Sequence, residues 1–156
     1  MKKIILAFLS CVVLGFAQQH THSKDQSLAS DFTLNNGSIS VEGAYILQTP
    51  PNRKNTAIFL SIYNNTDKDI ALIKATSNLT QKVELHTHVD SHMQAVDKIV
   101  IKAHSKAILQ SGGDHIMLFD TNVNKNTQTH LELYFDNKEK IILENIPSKS
   151  LVTKNE

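Results

Sequence analysis

The stretch from His86 to Met117 reads HTHVDSHMQAVDKIVIKAHSKAILQSGGDHIM. Its apolar residues fall in short runs with a period of two, and no helical period is sustained. Lys98–Ala103, Lys106–Gln110 and His115–Phe119 read as short strands. Between the last two, Ser111-Gly112-Gly113-Asp114 reads as a tight turn that Gly makes possible. Working outward, Lys82–Val89 carries Val83, Leu85 and Thr87 on one face and Glu84, His86 and His88 on the other. Ser38–Leu47, Thr56–Tyr63 and Ile70–Thr76 continue the pattern toward the N-terminus. Pro50-Pro51-Asn52 marks a loop, because such a pair cannot sit in a central strand. Toward the C-terminus an Asn-rich loop runs to Asn126. Thr129–Phe135 and Lys140–Ile146 then form a hairpin across Asp136-Asn137-Lys138. Many short strands at regular spacing predict an all-β antiparallel sandwich or barrel over residues 38–147. Roughly 110 residues of this kind bury a core large enough to fold alone.

The same stretch concentrates soft donors. Apart from the initiator, the chain has two methionines, Met93 and Met117, and both lie here beside histidines. So do His86, His88, His92, His104 and His115, five of the eight histidines. Elsewhere the apolar pattern uses Leu, Ile, Val and Phe, so Met is not general packing material. Thioether sulfur is a soft ligand and imidazole a borderline one, a pairing that suits Cu(I) and not Mg(II), Ca(II) or Mn(II). The competing reading is that Met93 and Met117 fill gaps in a core. His115 and Met117 are two apart on one strand and share a face, as do His86 and His88. Met93 falls in an irregular stretch after its strand. Two strands and a loop can then converge four neutral donors at one end of the sandwich: two imidazoles, from the His86 and His88 face and from His115, and the thioethers of Met93 and Met117.

The N-terminus places the protein. Lys2 and Lys3 precede an apolar run, Ile4 to Phe16, and Gly15-Phe16-Ala17 supplies small residues at the cleavage positions. Residues 1–17 therefore read as a secretory signal peptide cut after Ala17, too short for a permanent membrane span. Cys11 sits inside the apolar run behind Phe8-Leu9-Ser10, a poor lipidation box, so the chain reads as soluble and periplasmic, without a lipid anchor. Cleavage removes the only Cys, which suits a compartment where thiols oxidise and thioethers are more tolerant. Loss of Lys2 and Lys3 takes the 16 basic residues to 14 against 15 acidic ones, a formal charge of −1. No basic run is long enough to hold nucleic acid. Residues 18–37 read as a flexible polar arm and 148–156 as a polar tail.

The stretch resembles the periplasmic copper-chaperone family known as PCu(A)C, whose members carry H-x10-M-x21-H-x-M. Here six residues separate His86 from Met93, 21 separate Met93 from His115, and one separates His115 from Met117. The last two spacings match, and the first is four short, as a trimmed hairpin would make it. The similarity runs from about Ile39 to Ile146. Ser40-Val41-Glu42-Gly43-Ala44-Tyr45 looks like the opening strand, with Tyr where Trp is usual, and Gly112-Gly113-Asp114-His115-Ile116-Met117-Leu118 is the most specific piece. The resemblance implies a cupredoxin-like Greek-key sandwich. It also implies Cu(I) delivery to the dinuclear copper centre of cytochrome c oxidase, a copper-accepting membrane subunit, in concert with a Sco-type chaperone.

Other functions fit less well. There is no nucleophile elbow, phosphate-binding Gly loop or HExxH, so an enzyme is not expected. A blue-copper electron carrier needs a Cys thiolate. Two further readings stay open: a periplasmic Zn(II) or Cu(II) buffer built on the histidines, and a metal-free structural or adhesion sandwich. His88 reads as a solvated strand position or an alternate Cu(II) ligand, and His92, His104 and His130 as surface positions. Asp114 reads as fixing its turn, or as an acceptor for an imidazole proton. At the mature N-terminus, Gln18-Gln19-His20 places an amine, two amides and an imidazole in reach of one Cu(II), with His22 nearby. The alternative for that arm is a plain polar leader.

Overall fold

Alternation is clearest in Thr129–Phe135, where Thr129, Leu131, Leu133 and Phe135 are buried and the residues between are half-exposed. Successive side chains of a strand point to opposite faces, so such a pattern packs one face on a core and wets the other. The computed structural model describes residues 33–35 and 37–151. The expected signal peptide, with Cys11, and residues 18–32 of the arm lie outside the described residues. The strands are β1 Thr33–Asn35, β2 Ile39–Leu47, β3 Asn55–Asn64, β4 Ile70–Ser77, β5 Val83–Val89 and β6 His92–Val96, followed by β7 Ile99–Ile101, β8 Ser105–Leu109, β9 His115–Phe119, β10 Thr129–Phe135, β11 Lys140–Ile146 and β12 Ser148–Lys149.

Two sheets face each other. The larger runs β1-β2-β3-β9-β5-β6, with β12 on β2 and β8 on β3, and the smaller runs β11-β10-β4-β7. All pairs are antiparallel except β12 with β2. The chain passes repeatedly between the sheets, at β3 to β4, β4 to β5, β6 to β7, β7 to β8, β9 to β10 and β11 to β12. Ile58, Ile62, Ile116 and Leu118 from the larger sheet meet Leu72, Leu131, Leu133 and Ile141 from the smaller one, all fully buried. Each such side chain contributes about 1.5–3 kcal/mol on leaving water.

Four local features depart from the sequence pattern. Thr33–Asn35, expected within the arm, pairs with β2, and Ser148–Lys149, expected within the tail, adds further along the same edge of that strand, the edge away from β3. Asp90 and Ser91 both take positive φ (47° and 68°), and turn the chain directly from β5 into β6. A two-residue loop of that kind matches the twist of a hairpin, so Met93 lies on a strand and not in an irregular stretch. Finally, Ser111–Asp114 does not reverse the chain. β8 and β9 both run antiparallel to β3, β8 opposite residues 60–64 and β9 opposite residues 55–58. The Gly-Gly segment is an outward loop inside one interrupted strand, closed by Gln110 N–H donating to the Asp114 carbonyl (2.7 Å) and Gly113 N–H to the Gln110 carbonyl (3.0 Å). Gly112, at φ +80°, makes the excursion.

Candidate metal centre

The register of three strands sets the site. Directly opposed residues of an antiparallel pair share a face. His86 on β5 faces His115 on β9, and Glu84 faces Met117. On its other side β5 pairs with β6, where His88 faces Met93 and His86 faces Ala95. Glu84, His86, His88, Met93, His115 and Met117 therefore all lie on the outer face of the larger sheet. The inner face of the same strands carries Leu85, Ile116 and Leu118, all in the core.

The four candidate ligands are not equidistant on this grid. His86 and His115 are immediate neighbours, with ring centroids 5.4 Å apart. Met117 lies two residues beyond His115, diagonal to His86. Met93 is diagonal to His86 on the opposite side, one row toward the hairpin tip, where such neighbours have Cα atoms about 7–8 Å apart, within reach of a long side chain. Burial falls along the same line. His115 is 6% exposed, the His86 side chain 13%, and Met93 47%.

Aromatic rings shelter the buried end. Gly43, at φ +62°, makes a bulge in β2 that shifts its register against β3 and sets Tyr45 opposite Phe59. A row of rings then crosses four strands: Tyr45 to Phe59 at 5.3 Å, Phe59 to His115 at 6.3 Å, His115 to His86 at 5.4 Å, and His86 to Phe119 at 6.0 Å. Lys149 lies 3.8 Å over Tyr45 and Lys82 4.6 Å over Phe119, so a cation closes each end of the row.

Hydrogen bonds orient both imidazoles. His115 Nδ1 lies 2.9 Å from the Gly113 carbonyl oxygen. That oxygen only accepts, so Nδ1 carries the proton and Nε2 holds the lone pair. The Gly-Gly loop thus supplies a backbone partner that fixes the tautomer. His86 Nε2 donates to Glu84 at 2.9 Å, which leaves Nδ1 of a neutral ring as its free donor atom. Asp114 does not take an imidazole proton. Its carboxylate accepts the Thr87 hydroxyl and ties the loop to β5.

The remaining histidines stand apart. His92 points to the other face of the hairpin and contacts the Asp90 carbonyl. His104 pairs with Asp67 at an exposed turn, and His130 lies near Glu132 and Glu144 on the smaller sheet. Among the described residues, no three His, Cys, Asp or Glu side chains gather to hold a metal ion. Phe59 and Phe119 carry no signal of their own in the sequence. Glu84 does, since the period of two already sets it on the face of His86.

Residues 39–147 match the family model described as LpqE-like, whose description names a lipoprotein. No curated protein sequence matches the chain. Solved structures do. The copper-bound PCuAC domain from PmoF2 is 17% identical over 74% of this chain and 97% of its own, with a TM-score of 0.63. The apo PCuAC domain from PmoF1 is 16% identical over 76% and 98%, at 0.67. The Cu(I) form of DR1885 from Deinococcus radiodurans is 23% identical over 72% and 76%, at 0.56. Likeness at this level of identity carries the fold, a cupredoxin-like antiparallel Greek-key sandwich.

Proposed function

The chain belongs to the LpqE-like family and takes the PCuAC fold, and from that premise we propose that it is a metallochaperone that carries Cu(I). The observation that supports this most is the face-to-face pairing of His86 with His115, with a thioether diagonal to His86 on either side. Two imidazoles and two thioethers form a neutral, soft-to-borderline set that fits Cu(I). Among the described residues, no three His, Cys, Asp or Glu side chains gather here to hold a metal ion, and the Glu84 carboxylate is bonded to His86 Nε2, so a stable centre here recruits sulfur from Met117 and Met93. Phe59, Tyr45 and Phe119 keep water from one side, while the hairpin side stays open. A carrier needs both properties: it holds the ion against solvent and lets an acceptor's ligands attack from the open side. Its copper is cargo and undergoes no reaction at the site.

In this reading the chain is exported to the periplasm by residues 1–17. Its acceptor is the dinuclear copper centre of a membrane oxidase of the cytochrome c oxidase type, served together with a Sco-type chaperone. The arm at Gln18, Gln19 and His20 binds Cu(II) separately. Among the described residues, no helix is long and apolar enough to cross a membrane.

The test is a Cu(I) competition against a colorimetric chelator. One Cu(I) per chain is expected, with affinity falling by roughly tenfold or more in Met117→Leu and in Met93→Leu, the loss of one soft ligand. Wild-type affinity in both variants, or Zn(II) bound as tightly and lost only on changing histidines, overturns the thioether reading in favour of a histidine-based buffer.

A further inference from the structure

His88 is the one histidine on the site's face that the four-ligand centre leaves out. It sits directly across from Met93. It shares a face with His86, two residues nearer the hairpin tip. The last β5–β9 pair is His86 with His115, and the chain before His115 is the outward loop. β5 therefore runs on past its partner, and His88 has a neighbouring strand on the β6 side alone. Both His88 and Met93 are exposed, and Met93 is 47% accessible. Exposure then falls inward through His86 to His115.

We propose that His88 and Met93 form an outer copper station through which Cu(I) enters and leaves the central site. This rests on the Cu(I)-carrier reading above. Two donors are enough for a transient stop, because Cu(I) accepts low coordination numbers and exchanges soft ligands readily. The path follows from the register. Copper arrives between the His88 imidazole and the Met93 thioether, both open to solvent. Met93 stays bound while His86, next along β5, replaces His88. His115 and Met117 then complete the set. Departure runs in reverse, with His88 holding copper while an acceptor attacks. No oxidation or proton transfer is needed. Each step either exchanges one neutral ligand for another or adds one, so the charge on the Cu(I) complex never changes.

The prediction separates rate from equilibrium. A waystation enters forward and reverse rates alike, so its loss slows exchange far more than it alters the binding constant. Cu(I) transfer from the loaded protein to a colorimetric chelator such as bathocuproine disulfonate, followed by stopped flow, reads the rate directly. Competition with the same chelator reads the affinity. His88→Ala is expected to slow transfer by roughly tenfold, the equivalent of one lost ligand contact in the exchange barrier. His88→Met, which keeps a soft donor at the same place, is expected to restore most of the rate. A transfer rate in His88→Ala equal to wild type overturns the station. So does a fall in affinity as large as that in His86→Ala, which makes His88 a ligand of the central site. So does failure of His88→Met to recover the rate, which makes the effect structural. Wild-type protein that takes up no Cu(I) removes the carrier reading itself, and the station with it.

Discussion

At the scale of single residues, fold and function separate at Met117. It lies half-buried on the outer face, opposite Glu84 and Ala57, so Leu keeps its bulk and loses its sulfur. Met117→Leu is expected to cost under about 1.5 kcal/mol in urea unfolding, as volume-conserving swaps do, while Cu(I) affinity falls as argued above. A loss of several kcal/mol would make Met117 a packing residue first. Asn64 is the converse. It is 1% exposed. Its amide donates to the carbonyls of Lys68 (2.7 Å), Ile101 (3.1 Å) and Lys102 (3.1 Å), and its oxygen accepts from Thr66. One side chain thus joins the β3–β4 turn to the end of β7. Asn64→Ala strands those groups, and the expected destabilisation is about 2–3 kcal/mol. Asn64 lies at the far end of β3 from Ala57, so the folded variant is expected to bind Cu(I) as wild type does. Unchanged unfolding would show that water replaces the amide without loss.

At the scale of elements, β7 is the weakest strand of the smaller sheet by length, three residues on its edge. Asp69, just before β4, holds it. The carboxylate accepts Lys102 Nζ at 2.7 Å and the Ala103 N–H at 2.9 Å. The Lys102 hydrogen bond first, then that from Ala103, holds the Asp69 carboxyl below its ordinary value. A carboxylate with a lowered folded-state pKa contributes stability above its unfolded pKa and loses it as pH falls through the lowered one. Asp69→Asn is therefore expected to unfold more easily than wild type at neutral pH. The gap between the two urea midpoints is expected to close as the pH drops below the usual aspartate range. A gap that persists in acid would mean that packing, not charge, carries the effect. Most strands were legible from period-two runs, because burial on one face forces that pattern. β6 was not. Its residues are exposed on both faces through Ala95, and its turn uses Asp90 and Ser91 in place of the Asn-Gly or Asp-Gly pair that marks such hairpins. The interrupted β8–β9 strand hid for another reason. Gly-Gly signals a departure from regular backbone, and nothing local says whether the chain turns back or rejoins the same partner. The shared face of His115 with Met117, and of His86 with His88, was legible from the period of two. The aromatic row was not, because it depends on a bulge at Gly43 that shifts the register of β2.

At the scale of the whole molecule, the proposed site joins segments that only the fold brings together. His86 and Met93 come from one hairpin, while His115 and Met117 follow the loop after β8. An unfolded chain offers these pairs separately, so all four donors meet one ion only in the native state. A ligand that binds the native state alone stabilises it by mass action, by about 2.7 kcal/mol at a free concentration 100 times Kd. For a domain of this size each kcal/mol moves Tm by roughly 2–8 °C. Saturating Cu(I), supplied under reducing conditions, is thus expected to raise Tm by on the order of 10 °C. The shift is expected to shrink sharply in His115→Ala and in Met117→Leu. The arm provides an internal contrast. Gln18, Gln19 and His20 are contiguous in sequence, so Cu(II) held there binds folded and unfolded chains alike and leaves Tm unmoved. Calorimetry with each ion, on wild type and on His20→Ala, distinguishes the two sites. If Cu(I) binds with unit stoichiometry yet leaves Tm unchanged, the ion is held by a local pair of donors, and the sheet is not the scaffold of the centre.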